Sequence, residues 1–137
     1  MDNLTPEQRS EIMGRVKARD TGPEVRVRQL LHAMGYRYRL HVSELPGKPD
    51  IVFKSRAKVI FVHGCFWHRH AGCEHARTPK SRVDFWVPKF EQNQLRDKRN
   101  VRALRAEGWK VLIVWECEVA NEKKLERKMR RFLDEKR

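Results

Sequence analysis

The chain has 137 residues, with 31 Lys and Arg against 18 Asp and Glu, a formal net charge of +13. That length suits one domain around a single core, and the charge excess selects a polyanionic partner, nucleic acid or an anionic membrane. No apolar run approaches the ~20 residues of a spanning helix, and the start carries no signal-peptide pattern. The expectation is therefore a cytosolic chain that faces nucleic acid.

The first element is a helix opened by Leu4-Thr5-Pro6-Glu7-Gln8, with Thr5 as N-cap, Pro6 in the first turn and Gln8 completing a capping-box pattern. Ile12, Met13 and Val16 share one side of it, and Arg15, Lys17 and Arg19 close it. So few apolar residues place it on the surface or against a ligand. Thr21-Gly22-Pro23-Glu24 starts a second helix, whose stripe is Val27, Leu30, Leu31 and Met34, and Gly35 ends it. Glu24 lies on the inward side, one turn before Val27. An acid in a first turn is ordinarily a dipole partner; an inward direction makes a functional role the rival reading.

Three strands follow, Tyr36 to Leu40, Ile51 to Phe53 and Val59 to Val62. The last two are continuous apolar runs, as in strands covered on both faces. The turn Leu45-Pro46-Gly47-Lys48-Pro49 delivers Asp50 to the mouth of the second. From Gly64 to Pro88 no period appears, and so long an aperiodic stretch in a compact domain needs something to hold it. Cys65, His70 and Cys73 offer C-x4-H-x2-C, most of a zinc site. Cys117 is the remaining cysteine, and three thiols in a reducing compartment suit tetrahedral zinc better than one disulfide and an orphan. Three buried free cysteines are the plainer alternative. Histidines left over can move protons near neutral pH. The adjacent Phe66 and Trp67 suit a wedge between stacked bases, or simple packing on the core.

A helix from Lys89 to Glu107 carries the stripe Phe90, Gln94, Asp97, Val101 and Leu104, with Asp97 the odd carboxylate in an apolar row. Gly108 ends it, and Trp109 to Trp115 is the strongest strand in the chain. Strand, helix, strand implies a right-handed parallel unit joining Val59–Val62 to Val111–Trp115. Leu125, Met129, Phe132 and Leu133 make a final amphipathic helix with a basic outer face. The order α-α-β-β-β-loop-α-β-α describes an α/β chain, a small mixed sheet flanked by helices.

Glu24, Pro49-Asp50, the run V-H-G-C-F-W-H from Val62, Asp84-Phe85-Trp86, Arg96-Asp97 and V-L-I-V-W-E-C ending at Cys117 together resemble the very-short-patch repair (Vsr) endonucleases. These belong to the PD-(D/E)xK nuclease superfamily, and the likeness runs from the first helix to Cys117. It implies a single restriction-endonuclease-like domain over 1–137, residues 1–20 forming a DNA-gripping helix and 21–137 a nuclease core with a zinc-braced loop. The implied activity is Mg2+-dependent nicking of double-stranded DNA, 5′ of the thymine in T:G mismatches left by 5-methylcytosine deamination.

The resemblance also implies roles. Asp50 and the backbone carbonyl of Val62 hold Mg2+; the family usually has threonine there, and a main-chain ligand lets valine serve. His68 is the general base, Asp97 supports it, and Glu24 and His63 hold the waters around the metal. Val62-His63-Gly64 stands where (D/E)xK would, so a histidine and a main-chain oxygen replace the usual carboxylate and lysine. Zinc falls to Cys65, His70, Cys73 and Cys117. Ala71-Gly72 makes the His70–Cys73 spacing one residue longer than in better-known members, which makes His75 an alternative ligand. Phe66, Trp67 and Trp86 form the wedge, and Met13 with the first helix grips the DNA from the other groove, a solvated basic helix being the alternative. The implied partner is duplex DNA bearing a T:G mismatch, with mismatch-repair proteins as further candidates, no membrane, and a monomer in the bacterial cytoplasm at the nucleoid. Two rivals stand beside this reading: an endonuclease of broader mismatch or site specificity, and a non-catalytic zinc module that binds distorted DNA.

Overall fold

A computed structural model of the chain describes residues 21–65, 68–73 and 83–135. The predicted first helix with Met13, the Phe66–Trp67 pair and His75 lie outside the described residues. Among the described residues the order is α1 (Gly22–Ala33), β1 (Arg39–Leu40), β2 (Ile51–Phe53), β3 (Lys58–His63), α2 (Val83–Ala106), β4 (Lys110–Trp115) and α3 (Glu122–Asp134). The sheet runs β1-β2-β3-β4, antiparallel at its first two joints and parallel between β3 and β4. The parallel joint pairs Val59 with Val111 and Val62 with Val114, so the strand–helix–strand unit is where the sequence puts it. No described helix is long and apolar enough to cross a membrane.

Side chains alternate across the sheet, and each face has its own layer. Ile51, Phe53, Ile60 and Val114 pack with Val27, Leu30 and Leu31 of α1 and Leu125, Met129 and Leu133 of α3. Val52, Val59 and Phe61 pack with Leu104 of α2 on the other face. Burial on both faces explains the unbroken apolar runs of β2 and β3. The same two-residue period carries on to Asp50 and His63, and sets both on the α2 side at one end of the sheet. Thr21 Oγ1 accepts from the Glu24 N–H at 3.3 Å and starts α1.

Three expectations change. The strand predicted over Tyr36 to Leu40 shrinks to its last two residues, because Tyr36 turns into the core and its hydroxyl donates to Asp134 at 2.7 Å. α2 begins at Val83 rather than Lys89. Pro88 reads as a stop in sequence, yet it sits inside the helix, where its missing N–H forfeits one bond and leaves the rest of the ladder to carry on. Gln94, placed in the predicted stripe, is exposed.

Lys58 opens β3 and is 1% exposed. Its ammonium donates to the carbonyls of Phe132 at 2.6 Å and Leu133 at 3.1 Å, and also to that of Glu135. A cation at a helix C-terminus satisfies acceptors that have no helical donor and complements the dipole, so Lys58 fastens α3 to the sheet. Lys58→Met keeps the length of the side chain and removes its donors. Leaving those acceptors unpaired should cost about 1–3 kcal/mol of unfolding free energy, read by urea denaturation; an unchanged midpoint would show that α3 is held by its apolar face alone.

Candidate active site and metal clusters

Among the described residues, three clusters of ligand-bearing side chains gather at the sheet end that carries Asp50 and His63. They are Glu24, His41 and Asp50; His63, His68 and Asp97; and Cys65, His70, Cys73 and Cys117, in each of which the ligand atoms lie within 4.8 Å of one another. The second group and Asp50 of the first line a cleft of about 700 Å3, together with Val62 and others. Of the residues singled out in sequence, Asp50, Val62, His63, His68 and Asp97 are thus in one place. Glu24 reaches Asp50 from α1.

Asp50 Oδ2 accepts the Val62 N–H at 2.6 Å, so the carboxylate at the start of β2 is bonded to the end of β3. Burial, chiefly, pushes its carboxyl up from an ordinary 3.8 to about 8. A hydrogen bond with Glu24 adds to the rise, and the Val62 N–H opposes it. Glu24 is 2% exposed. Its Oε2 accepts from Arg28 NH2, one turn further along α1, and lies 3.3 Å from His41 Nε2.

His68 Nδ1 lies 2.6 Å from Asp97 Oδ2. A carboxylate there makes Nδ1 the donor and leaves Nε2 as the acceptor of the ring. His63 stacks on His68 with ring centroids 3.8 Å apart and planes 10° from parallel. Burial, then the neighbouring His68, lowers the His63 pKa from 6.5 to about 4, and Asp97 partly offsets this. His63 is therefore neutral at pH 7, and its Nδ1 is buried with no hydrogen-bond partner among the described residues.

In the third cluster His70 Nδ1 is 3.6 Å from Cys65 Sγ and 3.4 Å from Cys117 Sγ. Tetrahedral zinc with ordinary Zn–S and Zn–N bonds puts such atoms about 3.6 Å apart, so the four donors fit that ion. Burial pushes the Cys65 thiol up to about 12 and raises that of Cys117 as well. As thiolate ligands these sulfurs would need a cation to hold them deprotonated. His70 stacks on Trp115 at 4.3 Å and 10°, and the Cys65 N–H donates to Glu116 at 2.9 Å.

Trp86 is 7% exposed, stacked near Phe90 at 6.0 Å and edge-on to Phe85 at 5.0 Å. To act as a wedge it would have to leave that stack. Sequence reasoning passed over Arg28 and His41, and gave no role to Trp115 and Glu116 of the V-L-I-V-W-E-C run. Arg28 was legible as the i+4 partner of Glu24; the others reach the site through tertiary packing.

The fold is similar to that of the solved homing endonuclease I-Bth0305I catalytic domain, with a TM-score of 0.57 at 21% identity over 82% of this chain and 94% of that one. The model of the family "DNA mismatch endonuclease Vsr" matches residues 1–75. A type II nicking enzyme, V.XorIIP of Xanthomonas oryzae pv. oryzae (strain KACC10331 / KXO85), is 54% identical over 97% of each chain. The DNA mismatch endonuclease Vsr of Escherichia coli (strain K12) is 43% identical over 85% of this chain and 74% of that protein. The protein is accordingly a DNA endonuclease. It belongs to the Vsr family.

The raised carboxyl of Asp50 has a consequence for stability. Between about pH 4 and pH 8 the folded chain keeps a proton that the unfolded chain has lost, so this group's contribution is full below about pH 4 and fades as pH rises through about 8. Asp50→Asn fixes the neutral form. In EDTA its melting temperature should match the wild type near pH 4 and exceed it by a widening margin toward pH 8; a margin independent of pH would contradict the assignment.

Proposed function

We propose that this endonuclease nicks double-stranded DNA 5′ of the thymine in a T:G mismatch, in a Mg2+-dependent hydrolysis. The observation that carries this reading is the His68–Asp97 pair at 2.6 Å in the same cleft as Asp50. A general base held in one tautomer in the same cleft as a half-buried carboxylate is what metal-assisted phosphodiester hydrolysis needs. Two relatives bear names that say nicking enzyme and DNA mismatch endonuclease. On this reading Asp50 and the Val62 carbonyl are the protein ligands of Mg2+, and Glu24 and His63 hold its waters. The fit of His63 is chemical: a neutral imidazole with a buried, unpartnered Nδ1 suits a water molecule.

Magnesium, when bound, neutralises charge at the scissile phosphate and makes water more acidic. His68 Nε2 takes the proton of the attacking water, whose oxygen bonds to phosphorus as the bond to the leaving sugar oxygen breaks. Asp97, bonded to Nδ1, stabilises the imidazolium that forms. The wedge falls to Phe66, Trp67 and Trp86, and a T:G wobble opens more cheaply than a Watson–Crick pair, by a few kcal/mol at a kinked step. Residues 1–20, Met13 among them, grip the DNA, and 21–137 form the nuclease core. Cys65, His70, Cys73 and Cys117 hold structural zinc, with His75 not needed as a substitute. The working form is a monomer in the bacterial cytoplasm at the nucleoid, with mismatch-repair proteins as candidate partners.

Nicking of T:G, U:G and fully paired duplexes, with Mg2+ or EDTA and with the cut mapped, tests the reading. Only the T:G strand should break, 5′ of its thymine, and only with Mg2+; equal cutting of paired DNA would replace mismatch specificity with site specificity. His68→Ala should lower the rate on the order of 10²–10⁴-fold. Asp50→Ala should abolish nicking while leaving DNA affinity within a small factor. A separate measurement concerns zinc. Elemental analysis should give about one zinc per chain, and Cys117→Ser should lose it together with a large part of the thermal stability. Full stability in a zinc-free chain would return the three cysteines to the status of buried thiols.

A further inference from the structure

Glu24 is held more tightly than a carboxylate in a first helical turn requires. Arg28 NH2 donates to its Oε2, and His41 Nε2 sits 3.3 Å from that oxygen and 3.1 Å from Arg28 NH2. The arginine and histidine side chains are 16% and 18% exposed, and that of Glu24 is 2%. His41 reaches this place at a conformational cost. Its φ is 48°, in the left-handed region, which disfavours a residue with a Cβ by about 1–2 kcal/mol. Its backbone N–H donates to the Asp50 carbonyl at 3.3 Å, which pins the strained residue to the start of β2. The Tyr38 hydroxyl donates to the Arg28 carbonyl at 3.1 Å, so both arms are anchored from elements other than their own. In either imidazole tautomer Nε2 has a use, accepting from Arg28 or donating to Glu24.

We propose that Arg28 and His41 are positioning residues, a two-armed clamp on one oxygen of Glu24 that sets the carboxylate against Asp50 to receive a divalent cation. This rests on the reading of the cleft as a Mg2+ site and adds to it a support that acts only through Glu24. Groups behind a ligand or water-holding carboxylate typically govern metal affinity or activity by about 10–100-fold.

The test is a double-mutant cycle on the full, zinc-replete chain, read two ways: Mn2+ binding by calorimetry without DNA, and the Mg2+ concentration that half-saturates nicking. Arg28→Ala should weaken Mn2+ binding about 10–100-fold and raise the half-saturating Mg2+ in parallel. Arg28→Lys, which keeps a donor and a charge, should recover part of the loss, and His41→Ala should give a smaller loss of the same kind. With Glu24→Gln as background, Arg28→Ala should change Mn2+ affinity by about twofold or less. An equal effect in both backgrounds would overturn the clamp, and so would unchanged Mn2+ affinity in a folded Arg28→Ala chain. If Arg28→Ala does not fold, Arg28→Lys and His41→Ala in the two backgrounds decide by the same criterion. Arg28-dependent Mn2+ binding in a wild type that nicks no duplex would leave the clamp standing and remove the proposed substrate.

Discussion

The bond from the Val62 N–H to Asp50 Oδ2, 2.6 Å long, joins the opening of β2 to the close of β3. It continues past the last backbone pair at Ile51 and Ile60, with a side chain doing what a main-chain carbonyl would do inside the ladder. Because the carboxylate takes that place, it is held half-buried at the cleft wall instead of waving into solvent. Everything else at this end of the sheet is arranged around it. α1 brings Glu24 to one side, the α2 face brings His63, His68 and Asp97 to the other, and the chain leaving β3 passes straight into the cysteine-bearing loop. Loosening that one contact would detach the strand end from the residue that makes it chemically useful.

In a chain with a net charge of +13, a buried Glu24 and a half-buried Asp50 stand side by side. At 4 Å and an effective dielectric near 20, two like charges repel by about 4 kcal/mol. The structure meets this in two ways. Asp50 keeps a proton until about pH 8, and Arg28 sets a guanidinium against Glu24. Both are remedies for missing positive charge, and a site that needs them is one with affinity for a small cation. The excess of positive charge and this paired-carboxylate corner are complementary in the same sense: on the reading proposed above, the first gathers a polyanion and the second would hold the small cation that lets a phosphate approach.

Much of this was legible in the residues because its causes are local. The apolar runs of β2, β3 and β4 gave sheet neighbours and the parallel joint, since periodicity and connection rules leave few options. The inward turn of Glu24 followed from its offset to Val27, and the odd Asp97 from its row on α2. What escaped was set by distant partners. Tyr36 leaves the strand pattern because Asp134, far along the chain, receives its hydroxyl. Pro88 looks like a terminus until the packing of Trp86 and Phe90 shows how much apolar surface the first turns of α2 contribute. His41 has no neighbour in sequence that announces it, and only its left-handed backbone reveals the pull on it.

The cysteine cluster and the His63–His68–Asp97 cluster are not independent, and the reason is chain geometry. His68 stands between Cys65 and His70, and the turn that holds it is closed by bonds from His68 N–H to the Gly64 carbonyl at 3.1 Å and from His70 N–H to the Cys65 carbonyl at 3.0 Å. A displacement of Cys65 or His70 is therefore carried to the imidazole within a few peptide units. Trp115 supplies a second link, stacked on His70 at 4.3 Å and edge-on to His63 at 5.3 Å. One indole thus touches the thiol cluster on one side and the histidine stack on the other. A catalytic constellation tolerates misplacement of well under an ångström, and a loop alone cannot give that precision. Placing His68 inside the braced turn, with β4 behind it, gives a loop residue the fixity of one on a strand.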